Sequence, residues 1–558
     1  MSQGCRRRVL SVMGAAIAAF VVQIAAAQSN APPPSPPPTP GAVVAPIDKP
    51  VIQPKSASEA TVKGLGEDGF KPPASGKKIL VNEFVLSGNS LFDDSVLLGV
   101  IGKYTATPIT IEELYQAADE LQAFYRQQGY LLASVYVPAQ KVSSGTVRLE
   151  IIEGRISGIQ IEGELDSYRA DFLIDMFGNA YMGEIVSRQV LEERILLLND
   201  LPGLTAKTVI VPGEEYGTSN LIIEVEEDRS SVVLRANNYG RKSLGEARIE
   251  AGWLYVNLFA QADQLNLSAI VAEDSRMNFL RIDYDALLNT HGTRAGGSLS
   301  GFEYDVDTDE INLTGELDGD GTNLRFFVTH PLILEQRNRL DFTTALRFNE
   351  SSEDGDLAFT TDTTEVELLD LSIHWQPAHR NGSFSSLAAT FTSNFEDNPD
   401  GLEDDAVKAK VTLDYSFIMP FARSWFWQLG ARFGYSEDPL PDIERFRLGG
   451  PGNVRAYPAT EIAGDRGQLY NVDIGKRFSL SGSTSMIAKL FADYGEVERI
   501  IPFAGEDSKE ELAGYGAGVL FDFGGKHSLD IEVAEPTSDL DSSDDRDTRY
   551  WVNYMVQF

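Results

Sequence analysis

Residues 550–558 read Tyr550-Trp551-Val552-Asn553-Tyr554-Met555-Val556-Gln557-Phe558. Side chains alternate across a β-strand, so Tyr550, Val552, Tyr554, Val556 and Phe558 share one continuous apolar and aromatic face. Upstream, from Ser230 onward, the same alternation recurs in segments of about ten residues separated by turn residues. Sixteen such segments begin near Val232, Glu246, Gln264, Met277, Thr293, Asn323, Arg339, Thr364, Phe384, Val407, Trp425, Gln468, Ser485, Leu512, His527 and Thr548. An even count of alternating segments predicts a transmembrane β-barrel of 16 antiparallel strands over residues 229–558, with lipid-facing and lumen-facing side chains taking turns. Connections after even-numbered segments are short, such as Leu480 to Thr484, whereas several after odd ones are long and acidic, Asp305 to Asp320 above all. Short turns on one side and long loops on the other give the barrel its direction. Trp253, Trp375, Trp425 and Trp427 lie near the short-turn ends, as an aromatic girdle would.

The 558 residues include 47 basic and 83 acidic side chains, a net charge of -36, which excludes a phosphate-neutralising role toward nucleic acid. The single cysteine, Cys5, lies in a segment with the three parts of a secretory signal: Arg6-Arg7-Arg8, an apolar run from Val9 to Ile24, and Ala25-Ala26-Ala27. Residues 1–27 are therefore expected to be a cleaved signal peptide. Residues 28–77 read as a proline-rich linker with one weak helical candidate, Ser56 to Lys63, that could plug a pore. Two units follow, 78–154 and 155–228, each reading strand, helix, helix, strand, strand. In the first, Leu114, Ala117, Ala118, Leu121 and Phe124 form one apolar helical face that Gly129 ends.

Between the eleventh and twelfth segments lies a glycine-rich loop with the tetrads Val454-Arg455-Ala456-Tyr457 and Gly464-Asp465-Arg466-Gly467, preceded by Gly449 and Gly450. It resembles the inward-folded sixth extracellular loop of the two-partner secretion transporters, the haemolysin secretion/activation family, with Ala456 in place of the usual glycine. Phe491-Ala492-Asp493-Tyr494-Gly495 resembles the Phe-x-Asp-x-Gly strand of the same family, and the resemblance implies that Asp493 accepts Arg455 in the lumen. Guanidinium and carboxylate match as a two-bond fork. Asp465 and Arg466 are expected to pair with each other. Gly88-Asn89-Ser90-Leu91-Phe92 and Gly129-Tyr130-Leu131-Leu132 resemble polypeptide-transport-associated (POTRA) domains, and Phe558 on its alternating strand resembles the insertion signal of outer-membrane proteins.

The family implies a Gram-negative outer-membrane barrel with two periplasmic α+β POTRA domains that exports an unfolded exoprotein bearing an N-terminal secretion domain. The expected neighbours are then the lipid bilayer, lipopolysaccharide and, during biogenesis, the barrel assembly machinery. An outer-membrane protein assembly factor, or a passive porin, stays open on the residues alone. No catalytic constellation, metal set or cofactor motif is read. Gly297-Ser298-Leu299-Ser300-Gly301 has the wrong spacing for a nucleophile elbow. His374 and His379 lack a third ligand nearby, and Gly514-Tyr515-Gly516-Ala517-Gly518 reads as a close-packed strand because no helix follows.

Overall fold

The computed structural model describes residues 61–62 and 78–558 except 143, 179–180, 312–314, 356–360, 380, 395–408 and 503–506. The expected signal peptide and most of the linker lie outside these residues. Of the candidate plug helix, Thr61–Val62 is described, and it is a short strand running parallel to Leu204–Pro212. β-branched residues at both positions suit that extended pairing.

The 16 alternating segments become 16 strands that close on themselves among the described residues. In chain order they are β1 (Ser230–Asn237), β2 (Arg248–Val256), β3 (Gln264–Ala272), β4 (Met277–Leu287), β5 (Arg294–Asp305), β6 (Leu317–Glu335), β7 (Asn338–Gly355), β8 (Thr361–Pro377), β9 (Phe384–Asn394), β10 (Ala409–Phe421), β11 (Trp425–Ser436), β12 (Arg466–Ser479), β13 (Thr484–Glu498), β14 (Lys509–Phe523), β15 (His527–Pro536) and β16 (Arg549–Gln557). All neighbours are antiparallel, and β1 meets β16 with Val233 opposite Gln557 and Asn237 opposite Asn553. Phe558 extends that seam, its backbone N–H donating to Val232 at 2.9 Å.

The alternation sorts side chains inside out. Leu299, Phe326, Val328, Phe391, Leu490 and Val552 point outward and are exposed, whereas Asn266, Asp283, Asp370 and Glu532 point into the barrel and are buried. An apolar exterior around a polar interior is stable only in hydrocarbon surroundings, where closure leaves no unpaired backbone edge. Trp253, Trp375 and Trp425 lie on the exterior and are partly exposed, close to the turns that face the periplasmic units. Strands β6, β7 and β8 run 19, 18 and 17 residues, longer than a membrane requires. Their extra length absorbs part of the acidic stretch expected as loop. Asp320 pairs with Glu303 in the β5–β6 ladder, leaving residues 306–316 as the connection.

The first periplasmic unit packs the helices Asp94–Val100 and Ile111–Gln127 on a three-stranded sheet of Glu83–Ser87, Thr146–Ile152 and Ser134–Tyr136. Thr110 and Glu113 form a reciprocal cap on the longer helix, which buries Leu114, Ala117, Ala118, Leu121 and Tyr125. The first strand of this unit is broken into Ile79–Val81 and Glu83–Ser87, which pair in different sheets. The second unit packs Ala170–Phe177 and Arg188–Asn199 on Arg155–Glu162, Leu204–Pro212 and Thr218–Glu227.

One device recurs in both units. Glu153, just after the last strand of the first, accepts backbone N–H bonds from Ser90 at 2.7 Å and Leu91 at 2.8 Å and the Tyr125 hydroxyl at 3.0 Å. Glu227, ending the last strand of the second, accepts N–H bonds from Asp166 at 2.9 Å and Ser167 at 3.1 Å. Each carboxylate closes the loop after its unit's first strand. Burial opposes the charge on Glu153, but hydrogen bonds from Ser90, Leu91 and Tyr125 prevail and hold its carboxyl below the ordinary 4.5.

The second unit is docked under the barrel. Gln261, in the turn after β2, donates to the Ser167 carbonyl at 2.9 Å and accepts from the Arg169 N–H at 2.8 Å, and Arg339 on β7 pairs with Asp200 at 2.7 Å.

Two outcomes follow from this architecture. A cysteine replacing exposed Asp309 should react with an impermeant thiol label on intact cells, whereas one replacing Ser483 should react only after the outer membrane is permeabilised. Glu153→Ala should destabilise the first unit by about 1–3 kcal/mol by orphaning its donors, read as faster amide exchange in Ile111–Gln127 of the full chain. Because the folded carboxyl lies below its ordinary value of 4.5, this stabilisation is complete above that pH. It should vanish as pH falls through the depressed value, so wild type and variant should converge in acid.

Candidate functional site: the arginine loop in the lumen

Residues 437–465 connect β11 to β12 and turn back into the barrel, held as a narrow hairpin by pairing of Phe446–Leu448 with Ile462–Gly464. The tip needs a left-handed backbone at Gly449, Gly450 and Gly452, with φ of 104°, 103° and 69°. Ala456, where the family usually has glycine, is not among the left-handed residues. It is buried against β14, where a Cβ added to Gly514 would sit 2.3 Å from the Ala456 Cβ. The glycine-rich strand of β14 therefore makes room for the loop.

Arg455 is the centre of the contact. Its Nε and Nη2 reach the two Asp493 oxygens at 2.9 and 2.7 Å, the two-bond fork expected from sequence. Its Nη2 and Nη1 reach Asp473 on β12 at 2.7 and 3.1 Å, and Nη1 reaches Glu532 on β15 at 3.4 Å. One guanidinium thus joins three strands. The Phe491 ring lies 3.5 Å from its central carbon, and the Arg455 carbonyl accepts the Trp551 indole N–H at 2.7 Å. Asn471 donates to Asp493 at 2.8 Å, completing that carboxylate. Arg455 and Asp493 are both nearly excluded from solvent, 5% and 4% exposed, so an unpaired partner here would be costly.

The other motif residues divide by task. Val454, Ala456 and Tyr457 are buried with Leu448, Ile462, Phe491 and Leu512, and the Tyr457 hydroxyl meets Ser538 at 2.6 Å and the Leu540 carbonyl at 3.0 Å. Gly495 ends the Phe491 motif where a Cβ would collide with Leu448 at 2.6 Å, and a Cβ on Gly467 would meet Phe446 at 2.2 Å. The expected Asp465–Arg466 pair does not form. Consecutive residues entering β12 point to opposite faces. Asp465 instead accepts the Leu440 and Ile500 N–H groups, each at 2.7 Å, while Arg466 donates to the Ser436 carbonyl at 2.8 Å and reaches Glu498 at 3.3 Å. Gly450 shapes the tip, and Phe558 lies far from it, at the periplasmic seam. Asp473, Glu532 and Trp551 were not anticipated as partners. Strand parity puts all three inside, and that is the signal that could have found them.

A polar-lined barrel whose lumen is crossed by an arginine-bearing loop, standing over two strand-rich periplasmic units, is the build of an outer-membrane polypeptide transporter. Residues 79–154 match the POTRA domain of ShlB type, and residues 217–521 match the haemolysin secretion/activation protein ShlB/FhaC/HecB. The latter match spans more than half of the 558 residues, and the chain belongs to that family of outer-membrane, two-partner secretion transporters. It is 23% identical over 481 residues to the heme/hemopexin transporter protein HuxB of Haemophilus influenzae (strain 86-028NP), covering 83% of this chain and 84% of that one. To the hemolysin transporter protein ShlB of Serratia marcescens it is 23% identical over 442 residues, 76% of each chain. The solved structure of CdiB from Escherichia coli superposes with a TM-score of 0.70 at 19% identity, covering 88% of this chain and 92% of that one, a likeness of fold.

The three-way contact makes the two partners unequal. Asp493→Ala leaves Arg455 with Asp473 and Glu532, whereas Arg455→Ala takes the guanidinium from Asp473 and Asp493 and leaves Glu532 with Lys489. Arg455→Ala should therefore lower barrel stability by about 3–5 kcal/mol and exceed Asp493→Ala. The double variant should be milder than the sum of the singles. Heat-dependent gel mobility of the folded barrel measures all three, and additive losses would show that the residues act separately.

Proposed function

We propose that this protein captures an unfolded exoprotein with an N-terminal secretion domain at its periplasmic units and passes it through the barrel lumen. The observation that supports this most is that both periplasmic units of this polar-lined barrel end their sheets in outer strands. Glu83–Ser87 and Ser134–Tyr136 are the outer strands of the first unit's three-stranded sheet, and Arg155–Glu162 is an outer strand of the second. An edge strand presents unpaired N–H and C=O groups, so an extended segment adds to it through backbone bonds with little demand on sequence. The Arg455 contact then holds the loop as a lid across the lumen, and folding of the emerged segment outside biases movement outward. Gly450, Val454, Ala456, Tyr457, Gly464, Asp465, Arg466 and Gly467 set the loop's shape around Arg455, and Asp493 is its lumen partner. Phe558 offers the terminal strand to the barrel assembly machinery during insertion, and the exposed apolar band and outer loops meet the bilayer and lipopolysaccharide.

The relatives transport differently named cargo: HuxB is named for heme/hemopexin and ShlB for hemolysin. The cargo of this chain is an exoprotein encoded to match its own periplasmic units. Neither catalysis nor a cofactor is part of this reading. Removing residues 79–227 should leave a barrel that inserts and shows heat-dependent mobility but secretes none of its partner. Normal secretion by the truncated barrel would remove the receptor role from these units.

A further inference from the structure

The inward loop is tied to opposite walls of the barrel with unequal strength. Toward β12–β16 it has Arg455 with three carboxylates, the buried cluster around Tyr457, and Glu461, which accepts the Ser543 N–H and hydroxyl at 2.6 Å each and faces Arg241 at 3.5 Å. Toward β7–β10 it carries Glu444, in the short helical turn Asp442–Glu444. Glu444 is 6% exposed. Its carboxylate accepts from Arg347 on β7 and Lys410 on β10, both at 2.6 Å, and from Asn349 at 3.3 Å, while Lys410 also reaches the Glu444 carbonyl at 2.9 Å. Arg347 is itself aligned by Asp370 on β8 at 2.6 Å, and Asp370 by the Thr392 hydroxyl on β9 at 2.8 Å. Four neighbouring strands thus converge on one loop carboxylate. Beside it, Leu440 and Ile443 pack on Val366 and Leu368.

We propose that Glu444 is a second latch, and that the loop opens the lumen by leaving the β7–β10 wall while Arg455 stays seated as the hinge. This rests on the transport reading and adds a route to it: the exported chain passes along β7–β10. Mechanical yielding begins at the side with less buried packing: among the described residues Leu448, Val454, Ala456, Tyr457 and Ile462 of the loop are buried beside Arg455, whereas Leu440 and Ile443 pack beside Glu444. Release also suits the passenger. Lys410 then faces the lumen with Arg325, the register partner of Arg347 on β6, and these cations offer hydrogen bonds to the carbonyls and carboxylates of an extended chain.

The sequence holds one cysteine, Cys5, so engineered thiols in the rest of the chain react cleanly. Full-length protein carrying Glu444→Cys with Asn349→Cys is joined by a short bifunctional thiol reagent and compared with Glu461→Cys joined to Ser543→Cys. Single-channel conductance in planar bilayers is recorded for each, together with secretion of the partner when the link is made on cells. Linking 349 to 444 should abolish channel opening and secretion, and linking 461 to 543 should leave both. Openings that persist with 349 linked to 444 overturn the latch. Openings lost with either link show the loop leaving as one body and overturn the hinge. Glu444→Gln, which keeps the side chain's shape, should raise open probability at least about tenfold because the charged contact is lost, and an unchanged value also overturns the latch. Conductance needs no partner, so a parental protein that conducts but secretes nothing would count against the transport reading and not against the latch.

Discussion

A guanidinium carried into the interior of a barrel is the constraint around which the rest of this molecule is arranged. Removing Arg455 from water carries a penalty of several kcal/mol that only well-placed carboxylates offset. The barrel supplies them from three strands: Asp473, Asp493 and Glu532. Each carboxylate is itself buried, and Asp473 and Asp493 would be costly without the arginine, while Glu532 also has Lys489. The contact is therefore mutual, and it fixes the loop to three strands of the barrel wall, β12, β13 and β15.

Space for that contact is made by absence of side chains. Gly495 and Gly514 face Leu448 and Ala456 of the loop, and Gly516 faces the Phe491 ring that underlies Arg455. A Cβ at these positions would lie 2.6, 2.3 and 2.4 Å from Leu448, Ala456 and Phe491, too close for any of them to stay in place. Aromatic packing completes the enclosure, with Tyr239 edge-on to Trp551 at 5.8 Å and the Trp551 indole bonded to the loop backbone. The two periplasmic units solve a smaller version of the same problem. Glu153 and Glu227 each satisfy the N–H groups of a loop that follows a strand, and their matching positions show one design used twice.

The ends of the molecule serve different demands on the same strands. Toward the periplasm the turns are short, and those after β2 and β4, with the start of β7, double as docking points for the second unit through Gln261, Thr290 and Arg339. Toward the outside β6, β7 and β8 rise well past the membrane, and their mutual pairing, from Leu317 opposite Gly355 to Asp354 opposite Thr361, carries an acidic edge into solvent. The inward loop draws its second tie, Arg347, from this same group of strands.

Alternation determined that the chain from Ser230 is a barrel and set the strand count, because a period of two survives any tertiary context, and the asymmetry of connection lengths set its direction. The motif tetrads and Phe491-Ala492-Asp493-Tyr494-Gly495 pointed to Arg455 and Asp493 through their resemblance to the family, and a guanidinium and a carboxylate match as a two-bond fork. The repeated strand and helix order marked the periplasmic units. What the sequence left undecided is which other lumen-facing carboxylates come to the arginine. Asp473, Glu532 and Trp551 occupy the correct face, but so do many polar residues. Only closure of β1 on β16 and the stagger of the strands set their depth. The Asp465–Arg466 pairing failed for the same reason, because proximity along a strand is not proximity across it. Glu444 was invisible in sequence because its partners, Arg347 and Lys410, lie on strands brought beside the loop only when the barrel closes.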